Sequence, residues 1–275
     1  MLPYQLTILP PIYKNNMPEL PDLEIFAANL EKRFKNKTLE KVDVTVSKKL
    51  NVPEKELKAA LEGHQLQSVQ REGKTLQLHF GGGNVLGLHL MLHGEIQLIE
   101  KDDEVKFKIV EFHFKGDNSF ALTDFQKQAT PTLNPEPVAV PDALSKEFNI
   151  TYFKQVLAKK SVQVKQVLMD QKIVRGIGNT YADEILWHAR ISPFAVANKI
   201  PEEKVKALHQ AVEEVLRKEI MNLTKAIPDS FNAEVRDFLK VHNPNLTESP
   251  TGHKILVDKN NGRKTYYTVE QLDFQ

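Results

Sequence analysis

LMDQKIVRGIGNTYADEILW, residues 168–187, is the stretch on which the reading of this fold turns. Apolar residues on either side of IVRGIGN recur at helical spacing, which predicts helices over 163–170 and 179–189. The two glycines between them mark a compact turn. Further helices are expected on either side, over 151–159, 201–221 and 231–240. Across 151–180 six basic residues, Lys154, Lys159, Lys160, Lys165, Lys172 and Arg175, face the single acid Asp170. A basic patch of this size can hold phosphates. Taken alone, the charge favours a solvated helix face.

Upstream, Pro131, Pro135, Pro137 and Pro141 fall within thirteen residues that show no period, so 131–150 reads as a linker. Before it the chain reads as short strands. Val42, Val44 and Val46 alternate with polar residues, as do Leu76, Leu78 and Phe80, and strands follow at 85–90, 95–99, 107–114 and 120–122. A short helix is expected over 54–61. Another begins near Leu23, where Leu23, Phe26, Ala27, Leu30 and Phe34 share a face and Pro21 and Asp22 suit the entrance. The pattern predicts an α+β chain: an N-terminal β-sandwich with flanking helices (18–130) and a helical domain (151–240). A C-terminal β-hairpin (241–275) turns at the Asn-Gly of Asn261–Gly262. Residues 1–17 show neither period and read as an extension outside the fold.

The 275 residues are 41% apolar and 27% charged, a globular balance. No apolar run approaches the ~18 residues of a membrane span. The opening MLPYQLTILPPIYKNN lacks the charged start and clean apolar core of a signal peptide. A cytoplasmic monomer without membrane contact is therefore expected. With no cysteine, disulfides and thiolate zinc sites are excluded. His89 and His93 share a strand face, but a pair without a third ligand is more often structural, and no metal is expected. The net charge of +1 says nothing about a polyanionic partner.

PELPDLE, residues 18–24, raises a chemical question. At a free N-terminus a proline nitrogen is a secondary amine, able to attack C1′ of a deoxyribose and form a cationic imine. That cation is an electron sink for elimination of phosphate, and Glu19 stands next in sequence as a general acid. Read alone, the motif is merely a proline-rich helix entrance. In company it is more. MPELPDLE (17–24), VQREGKTLQL (69–78), HLMLHG (89–94), LMDQKIVRGIGNTYADEILW and ILVDKNNGRKTYY (255–267) follow in the order and spacing of the formamidopyrimidine-DNA glycosylase and endonuclease VIII family. The chain resembles that family from Met17 to near its end.

The resemblance implies a helix–two-turns–helix element and a bifunctional glycosylase/lyase of base-excision repair acting on damaged double-stranded DNA, nucleoid-associated in a bacterium. It implies Pro18 as nucleophile, Glu19 as acid, and Lys74 and Arg263 as further catalytic groups. His89, Lys127, Lys160 and Asn179 would bind DNA. No cofactor is implied. Gly176 and Gly178 fit this reading, since they let backbone amides approach a phosphate.

Three departures qualify it. The hairpin lacks the usual zinc cysteines, so it resembles the zincless type, with Ile255, Val257, Tyr266 and Tyr267 expected to pack it. Sixteen residues precede Met17, and if they stay, the Pro18 nitrogen is an unreactive amide; Met17 is therefore expected to be the true start. LTDFQKQA (122–129) replaces the family's TDPRRFG, placing Lys127 and Gln128 where arginine and phenylalanine fill the gap left by an extruded base, with Leu92, or less favourably Met91, as the third member. The alternative function is a non-catalytic homologue that binds damaged DNA.

Overall fold

Asp22 accepts the backbone N–H of Glu19 at 2.9 Å, and this cap starts helix α1 (Leu20–Phe34) three residues before its apolar stripe. Leu23, Phe26, Ala27, Leu30 and Phe34 are all buried, as their spacing implies. The computed structural model describes residues 17–100, 104–116, 118–260 and 262–275. Almost all of the expected extension lies outside the described residues; Met17 lies within them.

Two four-stranded antiparallel sheets follow. One runs β1 (Leu39–Val44), β6 (Lys108–Phe114), β7 (Asn118–Thr123), β5 (Glu95–Ile99); the other runs β2 (Leu66–Glu72), β3 (Thr75–Phe80), β4 (Val85–His89), β8 (Thr130–Leu133). Helix α2 (Glu54–Leu61) lies at the expected residues. Inward side chains of both sheets meet α1 in one core that includes Val42, Leu76, Leu78, Phe112 and Phe120. Two of these strands carry no clear alternation in the sequence. In β2 the register shifts between Leu66 and Ser68, so its buried residues, Leu66 and Val69, fall three apart. Strand β8 contains Pro131, tolerated because β8 is an edge strand, and it carries the sandwich past the expected boundary at 130.

Helices α3 (Ile150–Ala158), α4 (Val164–Met169), α5 (Asn179–His188) and α6 (Glu202–Ala226) enclose a second core that also takes Leu20 from α1. Helix α6 runs five residues beyond its expected end. The helix expected over 231–240 is not formed. Phe231 enters the sandwich core and Leu239 the helical core, so residues whose spacing suggested one helix face serve different cores.

The C-terminal hairpin pairs β9 (Leu256–Asn260) with β10 (Arg263–Tyr267); Asn261 of its turn lies outside the described residues. Ile255 and Tyr266 pack on Trp187 and Val241. Val257, expected to pack, is 52% exposed; the half-buried Tyr267 does pack, its ring edge-on to Phe194 with centroids 5.1 Å apart, and its hydroxyl donates to Asp258. Polar anchors do the rest. Asp183 of α5 accepts the Tyr266 N–H at 2.9 Å and pairs with Lys165 and with His242, each at 2.7 Å.

Candidate active site between the sandwich and the helices

Glu19, the N-cap of α1, carries its carboxylate to the start of a second helix. It accepts N–H groups of Gly178 at 2.7 Å, Thr180 at 2.9 Å and Tyr181 at 3.3 Å, at the start of α5. A helix N-terminus offers unpaired amides, and a buried carboxylate satisfies them. A Cβ on Gly178 would lie 2.4 Å from Glu19 Cδ and 2.5 Å from Lys74 Nζ. Only glycine lets the acid, the lysine and the helix start converge. Gly176 has φ +102, and a Cβ there would meet Leu20 at 2.6 Å. Its carbonyl accepts the Leu20 N–H at 3.1 Å, so the turn is stitched to the residues beside Pro18.

Lys74 follows Gly73 (φ +58) in the β2–β3 turn. That turn is clamped from outside: Asp142 accepts from the Gly73 N–H at 3.0 Å and pairs with Arg71, while Glu72 pairs with Arg175 at 2.7 Å. Burial holds the Lys74 ammonium below its usual pKa, with Glu19 opposing and Arg263 adding to the depression. His89, across the sheet from Thr75, is likewise lowered by burial and then by Lys74. Its Nδ1 accepts the Met91 N–H at 3.1 Å, which leaves Nε2 for a donor role.

Glu19, Lys74, His89, Asn179 and Arg263 line one cleft of about 1780 Å³. Asn179 opens α5, donates Nδ2 to the Lys264 carbonyl at 3.0 Å, and has its Oδ1 buried with no partner among the described residues. Arg263 reaches the cleft from the first position of β10. Pro18 is buried and lines an adjoining cavity of about 420 Å³. Lys127 and Lys160 line neither space. Lys127 sits at φ +56 on the turn after β7, and Lys160 follows α3. Gln128 is occupied with Lys49, whereas Leu92 is 44% exposed and lines both spaces.

The sequence reading missed a buried ion cluster over the cleft. Arg236 donates to both oxygens of Asp22, at 2.8 and 3.1 Å, and to Glu234 at 3.0 Å. Burial, opposed by Arg236, raises the Glu234 pKa to about 8. The Asp22 of PELPD was visible as a cap; nothing in the sequence marked its partner 214 residues away.

Residues 17–130 match the formamidopyrimidine-DNA glycosylase N-terminal domain, and residues 139–229 match the formamidopyrimidine-DNA glycosylase H2TH domain. The formamidopyrimidine-DNA glycosylase of Carboxydothermus hydrogenoformans is 30% identical over 266 residues, covering 91% of this chain and 98% of the relative. The chain belongs to the formamidopyrimidine-DNA glycosylase family. With that membership goes the function of a DNA glycosylase in base-excision repair. A second glycosylase relative, from Lactobacillus delbrueckii subsp. bulgaricus, is also 30% identical and covers 92% of this chain and 98% of itself. Among solved structures, Lactococcus lactis Fpg with DNA containing an abasic site superposes with TM-score 0.82 at 26% identity, over 92% of this chain and 99% of that one. The same enzyme with DNA containing N7-benzyl-Fapy-dG gives 0.82 at 27% identity, with the same coverage.

Proposed function

We propose that this glycosylase is bifunctional, removing oxidised bases from duplex DNA and nicking the strand through the ring nitrogen of Pro18. The observation that carries the reading is convergence: Pro18 and Glu19 from the chain's α1 entrance, Lys74 from the sandwich and Arg263 from the hairpin face adjoining spaces at one junction. The Pro18 nitrogen forms a bond to C1′ as the bond to the base breaks. Glu19 takes the proton that the Pro18 nitrogen sheds on bonding and passes it to the sugar ring oxygen, the C1′–O4′ bond breaks, and the nitrogen becomes an iminium. Loss of a C2′ proton then expels the 3′ phosphate. Lys74, its pKa lowered, passes a proton to the departing base; Arg263, Asn179 and His89 hold phosphates on either side. Lys160 and Lys127, outside the cleft, reach more distant backbone.

This chemistry requires a free secondary amine, so the functional chain begins at Pro18, with residues 1–17 absent. The start of the family match at residue 17 supports that. The sandwich, which β8 carries to Leu133, supplies Pro18, Glu19 and Lys74. The segment between β8 and α3 joins it to the helical domain, which, with the C-terminal hairpin, grips the backbone. We place the enzyme in the cytoplasm as a monomer on chromosomal DNA. A non-catalytic DNA-binding role is not favoured, since the relatives above carry the glycosylase name.

The test compares protein beginning at Pro18 with protein retaining residues 1–17, on duplex carrying one oxidised base. Strand cleavage is expected from the first and at least about 10³-fold less from the second, because an amide nitrogen is not a nucleophile. Equal cleavage by both would overturn the assignment of Pro18.

A further inference from the structure

We infer that Phe107 and Phe125, with His93, form an aromatic wall that stacks the extruded base, so that this chain selects bases that stay flat. The inference rests on the DNA-glycosylase reading above and assigns the smaller cavity within it. Pro18 lines that cavity, whereas Glu19, Lys74 and Arg263 line the larger cleft; Leu92, Asn232 and Glu234 border both. A sugar held at the Pro18 nitrogen with its phosphates among the cleft's cations therefore directs its base into the smaller space. An extruded base has lost its stacking neighbours, and a pocket that replaces them recovers that loss.

The cavity's wall is built for this. Phe107 and Phe125 are 59% and 55% exposed, and their ring centroids lie 6.4 Å apart at 69°. The His93 ring lies 4.6 Å from Phe125. Exposed rings gathered at a cavity mouth mark a contact surface. Their placement is fixed by backbone rather than by packing. Asp124, 1% exposed, accepts N–H groups of Gln126, Gln128 and Ala129 at 2.7–2.8 Å. Its own N–H donates to the Phe107 carbonyl at 2.9 Å, which ties the two phenylalanines together. Phe107 holds φ +58, uncommon for a bulky side chain and maintained only where the surroundings require it.

A ring-saturated base has no continuous π face and puckers, so it forfeits such stacking. The test uses protein beginning at Pro18 and duplexes containing one 2′-fluoro nucleotide that resists glycosidic cleavage. One duplex carries 5-hydroxyuracil and the other 5-hydroxy-5,6-dihydrouracil, which differ only in the 5,6 double bond. Each affinity is referred to that for a tetrahydrofuran abasic duplex, which brings no base to the cavity. The unaltered chain is expected to bind the flat base about tenfold more tightly than the saturated one. Phe125→Ser and Phe107→Ser should bring the ratio towards one, and Phe125→Trp should restore it. If the unaltered chain binds no damaged duplex better than undamaged DNA, the DNA reading fails and the wall with it. If it binds them but shows no flat-base preference, or keeps that preference in both serine variants, the wall alone is overturned.

Discussion

At the scale of single residues, Gly178 is the position on which the site depends most. Its missing side chain leaves the space where the Glu19 carboxylate and the Lys74 ammonium approach α5. In Gly178→Ala the added methyl, with contacts under 3 Å to both, must displace one of them. Activity is expected to fall by about 10²-fold, since a displacement of about 1 Å in positioning groups costs that much. Overpacking should cost about 1–3 kcal/mol in stability. Steady-state cleavage rates and thermal melting check both. The sequence showed that a glycine stood there, and the resemblance implied Glu19 and Lys74. It did not show that all three meet, because convergence of residues 19, 74 and 178 is a property of the tertiary fold.

Elements tell the same story on a longer range. Strand and helix periods were legible wherever a strand alternates or a helix keeps one buried stripe, as in β3 and α1. They failed where a bulge breaks the alternation in β2 and where a proline occupies edge strand β8. They misled over 231–240, where Phe231 and Leu239 serve separate cores and Arg236 is drawn to Asp22. The hairpin was legible from its Asn-Gly turn, but its attachment was not. Packing residues were expected to hold it; a buried acid holds much of it. Asp183→Asn keeps the shape and removes the charge facing Lys165 and His242. Leaving Lys165 buried and unpaired should destabilise the protein by about 3–5 kcal/mol. Hydrogen exchange over 256–267 should speed up well before the sandwich strands respond.

Across the whole molecule, polar contacts tie the sandwich side to the chain beyond it: Arg71 with Asp142, Glu72 with Arg175, Glu19 with the amides at the start of α5. Two further acids lie among the buried groups. Burial raises Glu219 to about 7 and Glu234 to about 8, both above the ordinary 4.5. The folded state holds these protons where the unfolded chain has released them. Their contribution is therefore complete below about pH 4.5 and is lost as pH rises through about 7 and 8. Unfolding free energy should decline from about pH 4.5 to about 7 through Glu219 and on to about 8 through Glu234, by up to about 1.4 kcal/mol per pH unit for each group while it titrates. Glu219→Gln should flatten that decline, as chemical denaturation across the range would show.

The most direct test is the identity of the atom that joins the DNA. Protein beginning at Pro18 is mixed with duplex containing an abasic site, reduced with borohydride, digested and mapped by mass spectrometry. The sugar remnant should sit on the Pro18 nitrogen and be absent from the Pro18→Gly protein's lysines at comparable yield. A remnant on Lys74, or no adduct from protein that still cleaves the strand, would contradict the account.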